Sequence, residues 1–461
     1  MPLSSRTLSP ELVNSVIKAY DVRGVVGEQI TAEFVGAVGA AFARLVRAEG
    51  ESRVVIGHDM RASSPELARA FADGVTAQGL DVVHIGLAST DQLYFASGHL
   101  NCAGAMFTAS HNPARYNGIK LCRAGAKPVG QDTGLAAVAG EVVAGVPGYD
   151  GAPGTVSEQD VLGGYAEFLH GLVDLAQIRP LRVAVDAGNG MGGYTVPAVL
   201  GTVPGLTVLP LYFELDGTFP NHEANPLDPA NLVDLQKFVV EQSADIGLAF
   251  DGDADRCFVV DERGAPVSPS AITGLVAKRE LAKEPGATII HNLITSRAVP
   301  ELVTELGGSA LRTRVGHSFI KQEMARSAAI FGGEHSAHYY FREFWGADSG
   351  MLAALHVLAA LGERDGTLSE LTAGFERYAM SGEINSTVDD AAARSAAAVA
   401  AFADRSVSVD RLDGVTVDLP DGAWFNLRAS NTEPLLRLNV EARSASEVDA
   451  LVAEILTIVR A

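Results

Sequence analysis

Cysteine is scarce in this chain of 461 residues, which contains only Cys102, Cys122 and Cys257. Because their number is odd and none has CxxC spacing, the sequence predicts neither a disulfide framework nor a zinc site, and buried reduced thiols are expected. No segment approaches the roughly 20 consecutive apolar residues that a membrane-spanning helix needs. The first residues also lack a basic start followed by an apolar run, so we expect a cytoplasmic protein with no membrane partner.

Basic residues are few relative to acidic ones. The chain has 35 Lys and Arg against 56 Asp and Glu, which gives a formal net charge of −21. Nucleic acids and anionic membranes are bound by clustered Lys and Arg, so neither is an expected partner. The same charge would repel a small anionic substrate, which therefore requires basic groups concentrated at its site. The expected partners are small molecules.

The composition and the alternation of apolar runs predict an α/β protein. Hydrophobic residues make up 47% and charged residues 20%, the balance of a soluble globular protein. Short Val- and Ile-rich runs alternate with Ala-rich helical patterns, which is typical of α/β layers. The predicted strands lie at 53–57, 80–85, 103–108, 181–186, 206–213, 246–250 and 288–291. Many end in polar or glycine-rich loops, where open α/β sheets bind ligands.

Composition shifts predict joints between domains near 145–154, 262–269 and 381–386. They divide the chain into four segments, 1–152, 153–264, 265–378 and 379–461. The first three share a strand, loop and helix rhythm. The last has an Ala-rich helical segment at 389–404, two or three strands and an amphipathic helix at 445–459, so it is predicted to be a smaller α+β domain.

The sharpest local signal is the motif DGDADR at 251–256, which follows the apolar run 246–250. The motif has an aspartate at every second position, Asp251, Asp253 and Asp255, and Gly252 makes the loop flexible. Several carboxylate oxygens can therefore face one hard cation, and Mg²⁺ fits this well. The terminal Glu of an EF-hand is missing, which disfavours a calcium loop. The alternatives are a solvated acidic turn or an Asp-capped helix start.

A second motif, TASHNP at 108–113, also follows an apolar run. Ser110 beside His111 could act as a nucleophile or as a phosphate carrier. Lys120 in the nearby NGIK segment adds a cation for charge stabilisation or proton transfer. The alternative for TASHNP alone is a turn, which Asn-Pro marks by itself.

A third motif, GEHSAH at 333–338, places Glu334, Ser336 and His338 at alternate positions. Side chains at alternate positions of an extended loop face one way, which suits the grasping of sugar hydroxyls. A structural loop explains this motif equally well when it is read alone.

A fourth motif, RASNTEP at 428–434, offers the groups that a phosphate dianion requires, with the alternative of an Asx or Ser turn before a strand. The candidate phosphate ligands are Arg428, Ser430, Asn431, Thr432 and the nearby Arg437. Further cations on short loops are Arg23 in YDVRG and Arg314 with His317 in RTRVGH. For each of these the default is an ordinary surface residue.

The segment GNGMGG at 188–193 fits the dinucleotide pattern GxGxxG, with Glu214 about 20 residues further on. The pattern is loose, and glycine-rich crossings from strand to helix are frequent in α/β proteins, so a nicotinamide site is not expected. The chain has no GxxxxGK[ST] loop, which argues against a P-loop nucleotide site.

In their order along the whole chain, YDVRG, TASHNP with NGIK, DGDADR, GEHSAH and RASNTEP resemble the α-D-phosphohexomutase family, particularly its bacterial phosphomannomutase/phosphoglucomutase branch. The resemblance implies four domains around a central cleft: three related mixed α/β domains and a smaller C-terminal α+β domain. It implies that 1–152 carries the phosphoserine loop, 153–264 the metal loop, 265–378 the sugar-binding loop and 379–461 the phosphate-binding loop.

The resemblance also implies roles for the residues of these loops. Ser110 would carry the phosphoryl group, and an oxygen of that phosphate would join Asp251, Asp253 and Asp255 around Mg²⁺. Arg23 and Arg256 would position the phosphoserine region, with Lys120 and His111 as candidates for proton transfer. Glu334, Ser336 and His338 would contact sugar hydroxyls, Arg314 and His317 the substrate, and the Arg428 loop with Arg437 the phosphate that is not reacting.

This sequence departs from the family pattern in three places. His335 and Ala337 replace residues of the more usual GEMSGH loop, although the three contacting positions are kept. Arg314 and Val315 stand where many relatives have Lys-Thr before Gly-His, so the side chains that this loop offers to the substrate differ from those of the relatives. The arginine after the last motif varies in placement among relatives, and in this chain it is Arg437.

The activity that the resemblance implies is the interconversion of hexose 1-phosphate and hexose 6-phosphate. A hexose 1,6-bisphosphate would be the intermediate and the activator, with mannose the favoured sugar and glucose a second one. A magnesium-dependent sugar-phosphate phosphatase is the alternative enzyme, in which Asp251 would be the nucleophile. A phosphosugar-binding scaffold without turnover is the non-enzymatic alternative.

Overall fold

The computed structural model describes residues 8–18, 20–430 and 435–461. The chain forms two compact units, each built from two stretches of sequence. The first unit comprises Met1–Val267 and Ser336–Ser369, and the second comprises Ser268–His335 and Glu370–Ala461.

The N-terminal part of the first unit contains a mixed sheet. Its strands are β1 (Val22–Val25), β2 (Arg53–His58), β3 (Asp81–Leu87), β4 (Ala103–Phe107), β5 (Tyr116–Arg123), β6 (Lys127–Pro128) and β7 (Val156–Glu158). The order is β1-β5-β4-β2-β3-β7, with β6 beside β5. Strands β2, β3, β4 and β7 run parallel, whereas β5 runs antiparallel to both β4 and β1. The serine motif therefore lies between two antiparallel neighbours, β4 and β5.

The helices of this part are α1 (Pro10–Val16), α2 (Ala32–Ala48), α3 (Ser64–Ala77), α4 (Thr90–Leu100) and α5 (Leu135–Ala144), with a 3₁₀ turn at Gln131–Thr133. Helix α2 begins where the Thr31 hydroxyl accepts a hydrogen bond from Phe34 N. It buries Phe34, Val38 and Phe42, which recur every four residues on one face. These side chains belong to the core between the helices and the sheet.

A second mixed sheet of the first unit carries the metal motif. Its strands are β8 (Leu181–Asp186), β9 (Leu206–Leu211), β10 (Ile246–Phe250), β11 (Cys257–Asp261) and β12 (Pro266–Val267), in the order β12-β11-β10-β8-β9. Its helices are α6 (Leu162–Leu172), α7 (Gly192–Val199) and α8 (Val233–Glu241), with a 3₁₀ turn at Pro229–Leu232. All residues of β10 are buried, and the DGDADR loop joins β10 to the antiparallel β11.

The second unit contains three parallel strands and a separate antiparallel sheet. Helices α9 (Pro269–Lys283), α10 (Ala298–Glu305) and α11 (His317–Ser327) accompany β13 (Thr288–Asn292), β14 (Ser309–Thr313) and β15 (Phe331–Gly333), with β13 in the middle. The first unit resumes with β16 (Tyr339–Phe341), a 3₁₀ turn at Arg342–Phe344, β17 (Ala347–Asp348) and α12 (Gly350–Gly362). Helix α13 (Leu368–Thr372) leads back into the second unit.

The C-terminal part of the second unit is the antiparallel sheet. Its strands are β18 (Ala379–Met380), β19 (Ile384–Thr387), β20 (Ser408–Asp410), β21 (Val415–Asp418), β22 (Trp424–Ala429) and β23 (Leu435–Ala442), and its helices are α14 (Ala391–Ala401) and α15 (Ala445–Val459). Helix α15 begins with a capping box between Ser444 and Glu447. It buries Val448, Leu451, Ile455 and Val459 in the core of this part.

The predicted α/β class with mixed sheets and a smaller C-terminal α+β part is confirmed. The expected helices near 389–404 and 445–459 are α14 and α15. The three cysteines are buried and free, as expected. Among the described residues, no helix combines the length and the apolar character needed to cross a membrane. The segment boundaries after residues 152, 264 and 378 stay predictions.

Candidate active site

The serine loop holds Ser110 in an unusual backbone conformation. Strand β4, which is wholly buried, delivers the loop, and Ser110 has φ +49°, in the left-handed region. Its backbone N–H donates to Thr108 Oγ1 at 2.9 Å, and its hydroxyl donates to Asp251 Oδ2 at 2.9 Å. Such a conformation costs about 1–3 kcal/mol outside glycine and persists where the surroundings enforce it, often at functional sites.

The metal loop brings three buried carboxylates together. Asp251, Asp253 and Asp255 each offer an oxygen, and these oxygens lie within 4.8 Å of one another. Asp253 Oδ1 and Asp255 Oδ1 are buried and have no hydrogen-bond partner. Leaving buried carboxylate oxygens unpaired is costly, and a hard cation is the partner such oxygens prefer. The residues present therefore fit Mg²⁺.

Two glycines allow the loops to pack backbone against backbone. A Cβ atom on Gly252 would lie 2.4 Å from the Ser110 carbonyl oxygen, and one on Gly190 would lie 2.7 Å from the Gly252 carbonyl oxygen. Met191 N also donates to Gly252 O at 2.9 Å. The glycine-rich segment 188–193 thus supports the metal loop, and this packing accounts for a pattern that resembled a dinucleotide motif.

Two basic side chains bind the carboxylates. Arg256 Nε donates to Asp251 Oδ2 at 2.9 Å, and its Nη2 donates to Ser110 Oγ at 3.3 Å. Lys120 Nζ donates to Asp253 Oδ2 and to Asp255 Oδ2, each at 2.6 Å. Arg256 links the serine and the metal loop directly, and Lys120 joins β5 to the metal loop.

Burial and neighbouring charges shift the pKa values in this cluster. Burial raises the pKa of Asp251 to about 7, against the opposing effect of the Arg256 guanidinium. Burial, with Arg256 and Arg23 nearby, holds the pKa of His111 well below its usual value. Burial alone would lower the pKa of Lys120, but the carboxylates of Asp253 and Asp255 outweigh it and raise the pKa. At neutral pH we therefore expect a neutral His111 and a charged Lys120.

Arg23 supports the serine loop from β1. Its Nη1 donates to Asn112 Oδ1 at 2.5 Å and to Ala109 O at 3.3 Å, while its Nη2 pairs with Asp21. The Arg23 Nε atom is buried and has no hydrogen-bond partner. Arg23 thus contacts the loop that carries Ser110 through Nη1, while its pairing with Asp21 holds the guanidinium from the other side.

The GEHSAH motif crosses from one unit to the other between His335 and Ser336. In the first unit, His338 Nε2 lies 3.8 Å from Asp255 Oδ1, and its Nδ1 lies 3.1 Å from Ser336 Oγ. A backbone bridge pairs His338 with Arg256. The structure thus brings Ser336 and His338 next to the metal carboxylates.

Glu334 belongs to the second unit and is buried there. Its Oε1 accepts hydrogen bonds from Asn292 Nδ2 at 3.1 Å and from Gly316 N at 3.2 Å. The bond from Gly316 connects the GEHSAH motif to the RTRVGH loop, and the bond from Asn292 connects it to β13. Arg314 of that loop is exposed, and its guanidinium lies 4.7 Å from the centre of the Phe319 ring. The side chain of His317 lies outside the part of the structure that is described.

Two arginines face each other in the C-terminal sheet. Arg428 on β22 is the register partner of Arg437 on β23. Both approach one carboxylate, that of Glu383, at 3.4 Å and 3.6 Å. Two guanidinium groups that share one carboxylate suit an anion such as phosphate. Ser430 N donates to Leu435 O, whereas Asn431 and Thr432 lie outside the described residues.

Comparison with known proteins identifies the family. Models described as phosphoglucomutase/phosphomannomutase domains match in succession: α/β/α domain I at 14–141, domain II at 164–264, domain III at 268–378 and the C-terminal domain at 383–458. The chain is 40% identical over 435 residues to a phosphomannomutase of Salmonella typhimurium, covering 92% of this chain and 94% of that protein. This chain belongs to the phosphoglucomutase/phosphomannomutase family.

Other members of the family agree over almost the whole length. The chain is 36% identical over 457 residues to a phosphomannomutase/phosphoglucomutase of Pseudomonas aeruginosa, covering 97% and 96% of the two chains. The crystal structure of a family protein from Burkholderia thailandensis matches with a TM-score of 0.88 and 32% identity, covering 98% of each chain. The family predicted from the five loops is confirmed.

A buried arginine that supports the serine loop, Arg61, belongs to none of the motifs predicted from the sequence. Arg61, only 1% exposed, follows β2 and pairs with Asp59 at 3.2 Å. Its other donors reach three backbone carbonyls of the serine loop, at Ser110 (2.8 Å), Asn112 (2.7 Å) and Pro113 (3.0 Å), and that of Tyr116 (3.1 Å) at the start of β5. The only signal in the sequence is a polar DMR segment after a predicted strand, which does not reveal a partner about 50 positions away.

Proposed function

We propose that this chain is a magnesium-dependent phosphohexomutase that interconverts hexose 1-phosphate and hexose 6-phosphate through phospho-Ser110. The observation that carries the proposal is the hydrogen bond from Ser110 Oγ to Asp251, inside a cluster that also contains Arg256. A serine alone would be a poor phosphate carrier, because the charge that moves during phosphoryl transfer needs fixed positive groups around it. The names of the relatives support the same activity.

The residues of the first unit divide the chemistry among them. Asp251, Asp253 and Asp255 would hold Mg²⁺, which when bound neutralises charge on the transferred phosphoryl group. Arg256 contacts the serine oxygen and would stabilise that charge from a second side. Arg23 and Arg61 hold the loop backbone, so Ser110 stays aligned for in-line transfer.

Proton transfer is assigned to Lys120 and His111. Arg256 donates to His111 Nδ1, so the neutral imidazole carries its hydrogen on Nε2 and can donate a hydrogen bond from there. To pass that proton on, the ring would have to take up another proton at Nδ1 in place of the bond from Arg256. Lys120 keeps its proton among the carboxylates and can supply it to a serine oxygen that has lost its phosphoryl group. In the same transfer the attacking sugar hydroxyl loses a proton, which Lys120 would take up once it has given its own proton to the serine oxygen.

The other contacts to substrate are proposed from the GEHSAH and RASNTEP motifs and from the RTRVGH loop. Glu334, Ser336 and His338 would bind sugar hydroxyls, and Arg314 with His317 would contact the substrate near them. Arg428 and Arg437, with Ser430, Asn431 and Thr432, would hold the phosphate that is not reacting. A hexose 1,6-bisphosphate would be the intermediate and, when added, the activator that rephosphorylates Ser110. The segments 1–152, 153–264, 265–378 and 379–461 are the proposed domains for these four tasks.

Mannose phosphates are the favoured substrates and glucose phosphates the second. The relatives in Salmonella typhimurium and Pseudomonas aeruginosa carry the names phosphomannomutase and phosphomannomutase/phosphoglucomutase, which supports both sugars. The comparisons give no support to the phosphatase alternative. A cytoplasmic location and the absence of nucleic-acid binding stay predictions.

The test is ³¹P NMR with Mg²⁺ and a trace of hexose 1,6-bisphosphate, offering mannose 1-phosphate and glucose 1-phosphate separately. We expect conversion to the 6-phosphates by the wild type and none by Ser110→Ala. Release of inorganic phosphate by a still active Ser110→Ala variant would instead favour the phosphatase. Saturable binding of both sugars without conversion would favour a scaffold.

A further inference from the structure

A side chain outside the five loops contacts one of the metal carboxylates. Thr90 is the first residue of α4 and is fully buried. Its hydroxyl donates to Asp253 Oδ2 at 2.6 Å, and its backbone N–H donates to Asp253 O at 2.9 Å. The start of α4 thus holds both the side chain and the backbone of Asp253.

The two oxygens of Asp253 have different surroundings. Oδ2 accepts from Thr90 Oγ1 and from Lys120 Nζ, both at 2.6 Å. Oδ1 is buried and has no hydrogen-bond partner. Two donors on one oxygen fix the rotation of the carboxylate and leave the other oxygen for a cation. Donors behind a metal ligand are the usual means by which proteins orient it.

The residue that follows Thr90, Asp91, is anchored by three hydrogen bonds. The buried carboxylate of Asp91 accepts hydrogen bonds from three hydroxyl groups, those of Ser89 (2.5 Å), Tyr165 (2.7 Å) and Ser349 (2.7 Å). Tyr165 lies on α6, in the part matched by family domain II. Ser349 caps α12, in the part matched by domain III. Asp91 therefore ties the first turn of α4 to two other domains.

Capping of α4 does not account for these contacts. The Ser89 hydroxyl already accepts from Gln92 N at 3.2 Å and so caps the helix. Burying a carboxylate costs several kcal/mol unless its partners compensate. Three hydroxyl donors from three parts of the chain serve Asp91, which makes the turn that carries Thr90 rigid.

We propose that Thr90 is a positioning residue for Asp253, which it orients so that Oδ1 faces the cation, and that Asp91 anchors Thr90 for this purpose. The inference rests on the proposed magnesium site and adds to it a residue that never touches the metal.

The test compares Thr90→Val with wild type, using Mn²⁺ as the probe and electron paramagnetic resonance to measure binding without substrate. Valine keeps the shape and the backbone N–H but removes the hydroxyl donor. We expect Thr90→Val to weaken Mn²⁺ binding about 10-fold or more, the usual effect of losing such a partner. Thr90→Ser restores the hydroxyl and should restore the affinity. Thr76→Val is the matched control, because the Thr76 hydroxyl donates only to carbonyl groups of its own helix.

Each outcome decides a different statement. Equal Mn²⁺ affinity in Thr90→Val and wild type would overturn the inference and leave the metal site standing. A Thr90→Ser variant as weak as Thr90→Val would also overturn it, because the hydroxyl would not be the cause. Mn²⁺ binding that is undetectable in wild type, or unaffected by Asp253→Asn, would refute the proposed metal site itself. For the anchor, Tyr165→Phe with Ser349→Ala should weaken binding in the same direction but less, and unchanged binding would refute that part.

Discussion

The hydrogen bonds of Arg61 determine how much stability the substitution Arg61→Lys should cost. The guanidinium of Arg61 makes five hydrogen bonds, one to Asp59, three to carbonyls of the serine loop and one to the carbonyl of Tyr116 at the start of β5. In Arg61→Lys the charge beside Asp59 remains, but an ammonium group has three donors, so at least two bonds are lost. Hydrogen bonds to charged groups contribute about 1.5–3 kcal/mol each, so we expect a loss of about 3 kcal/mol or more in the stability of the first unit.

The same substitution should affect catalysis. Ser110 stays in its left-handed conformation because its loop is held from outside, and Arg61 supplies a large part of that restraint. A misplacement of about 1 Å in a reacting group can cost roughly 100-fold in rate. We therefore expect kcat to fall by about that factor while the KM for phosphosugar changes little, since Arg61 does not lie among the proposed sugar contacts.

The assay can be confined to the first unit. The chain has two tryptophans, of which Trp345 lies in the first unit and Trp424 in the second. In a Trp424→Phe background, fluorescence during urea unfolding reports on the surroundings of Trp345. The control is Arg53→Lys on β2, an exposed arginine whose change should stay within about 0.5 kcal/mol. Equal unfolding midpoints and equal kcat for the Arg61 and Arg53 variants would refute the reasoning.

Two further predictions concern Asp91 and the C-terminal arginines. Burial raises the pKa of Asp91 to about 6 from a usual value of 3.8, so the stability gained from its protonation is present below about pH 4 and is lost as pH rises through about 6. The stability of wild type relative to Asp91→Asn should therefore fall by a few kcal/mol at most between about pH 4.5 and 7.5, and a constant difference would contradict this. Arg428→Gln should raise the KM for phosphosugars roughly 10- to 100-fold, because a charge-assisted bond to phosphate is lost. The control is Arg405→Gln, which changes an exposed arginine and should leave the KM unchanged. Steady-state kinetics measures both KM values, and equal values would refute the phosphate role of Arg428.

The serine and metal loops could be predicted because each follows a strand that its own residues specify. The wholly buried β4 and β10 are continuous apolar runs, and the polar motifs begin where those runs end. This local rule places Ser110 and Asp251 at the ends of strands, where ligands of α/β sheets bind. Their meeting follows from the pairing of the loops, which the family resemblance implied.

The supporting residues could not be predicted, because their partners are remote in sequence. Thr90 and Asp253 are 163 positions apart, and Arg61 and Ser110 are 49 apart. The sequence around Arg61 and Thr90 has no periodic pattern that would indicate a contact with a residue so far along the chain. The motif around Arg314 predicted that this arginine contacts substrate. In the structure its guanidinium lies over the ring of Phe319, a packing contact that the spacing of the motif does not reveal.

The backbone stack at Gly190, Gly252 and Ser110 limits how this enzyme can evolve. The segment at Gly190 contacts the main chain of Gly252, and Gly252 contacts the main chain of Ser110. A side chain at either glycine would therefore displace the neighbouring segment. Selection therefore has little freedom to adjust the metal loop by single substitutions, and the serine and metal loops must change together or not at all. If residues 333–338 contact the sugar as proposed, sugar preference can instead change at this loop, because side chains make its contacts.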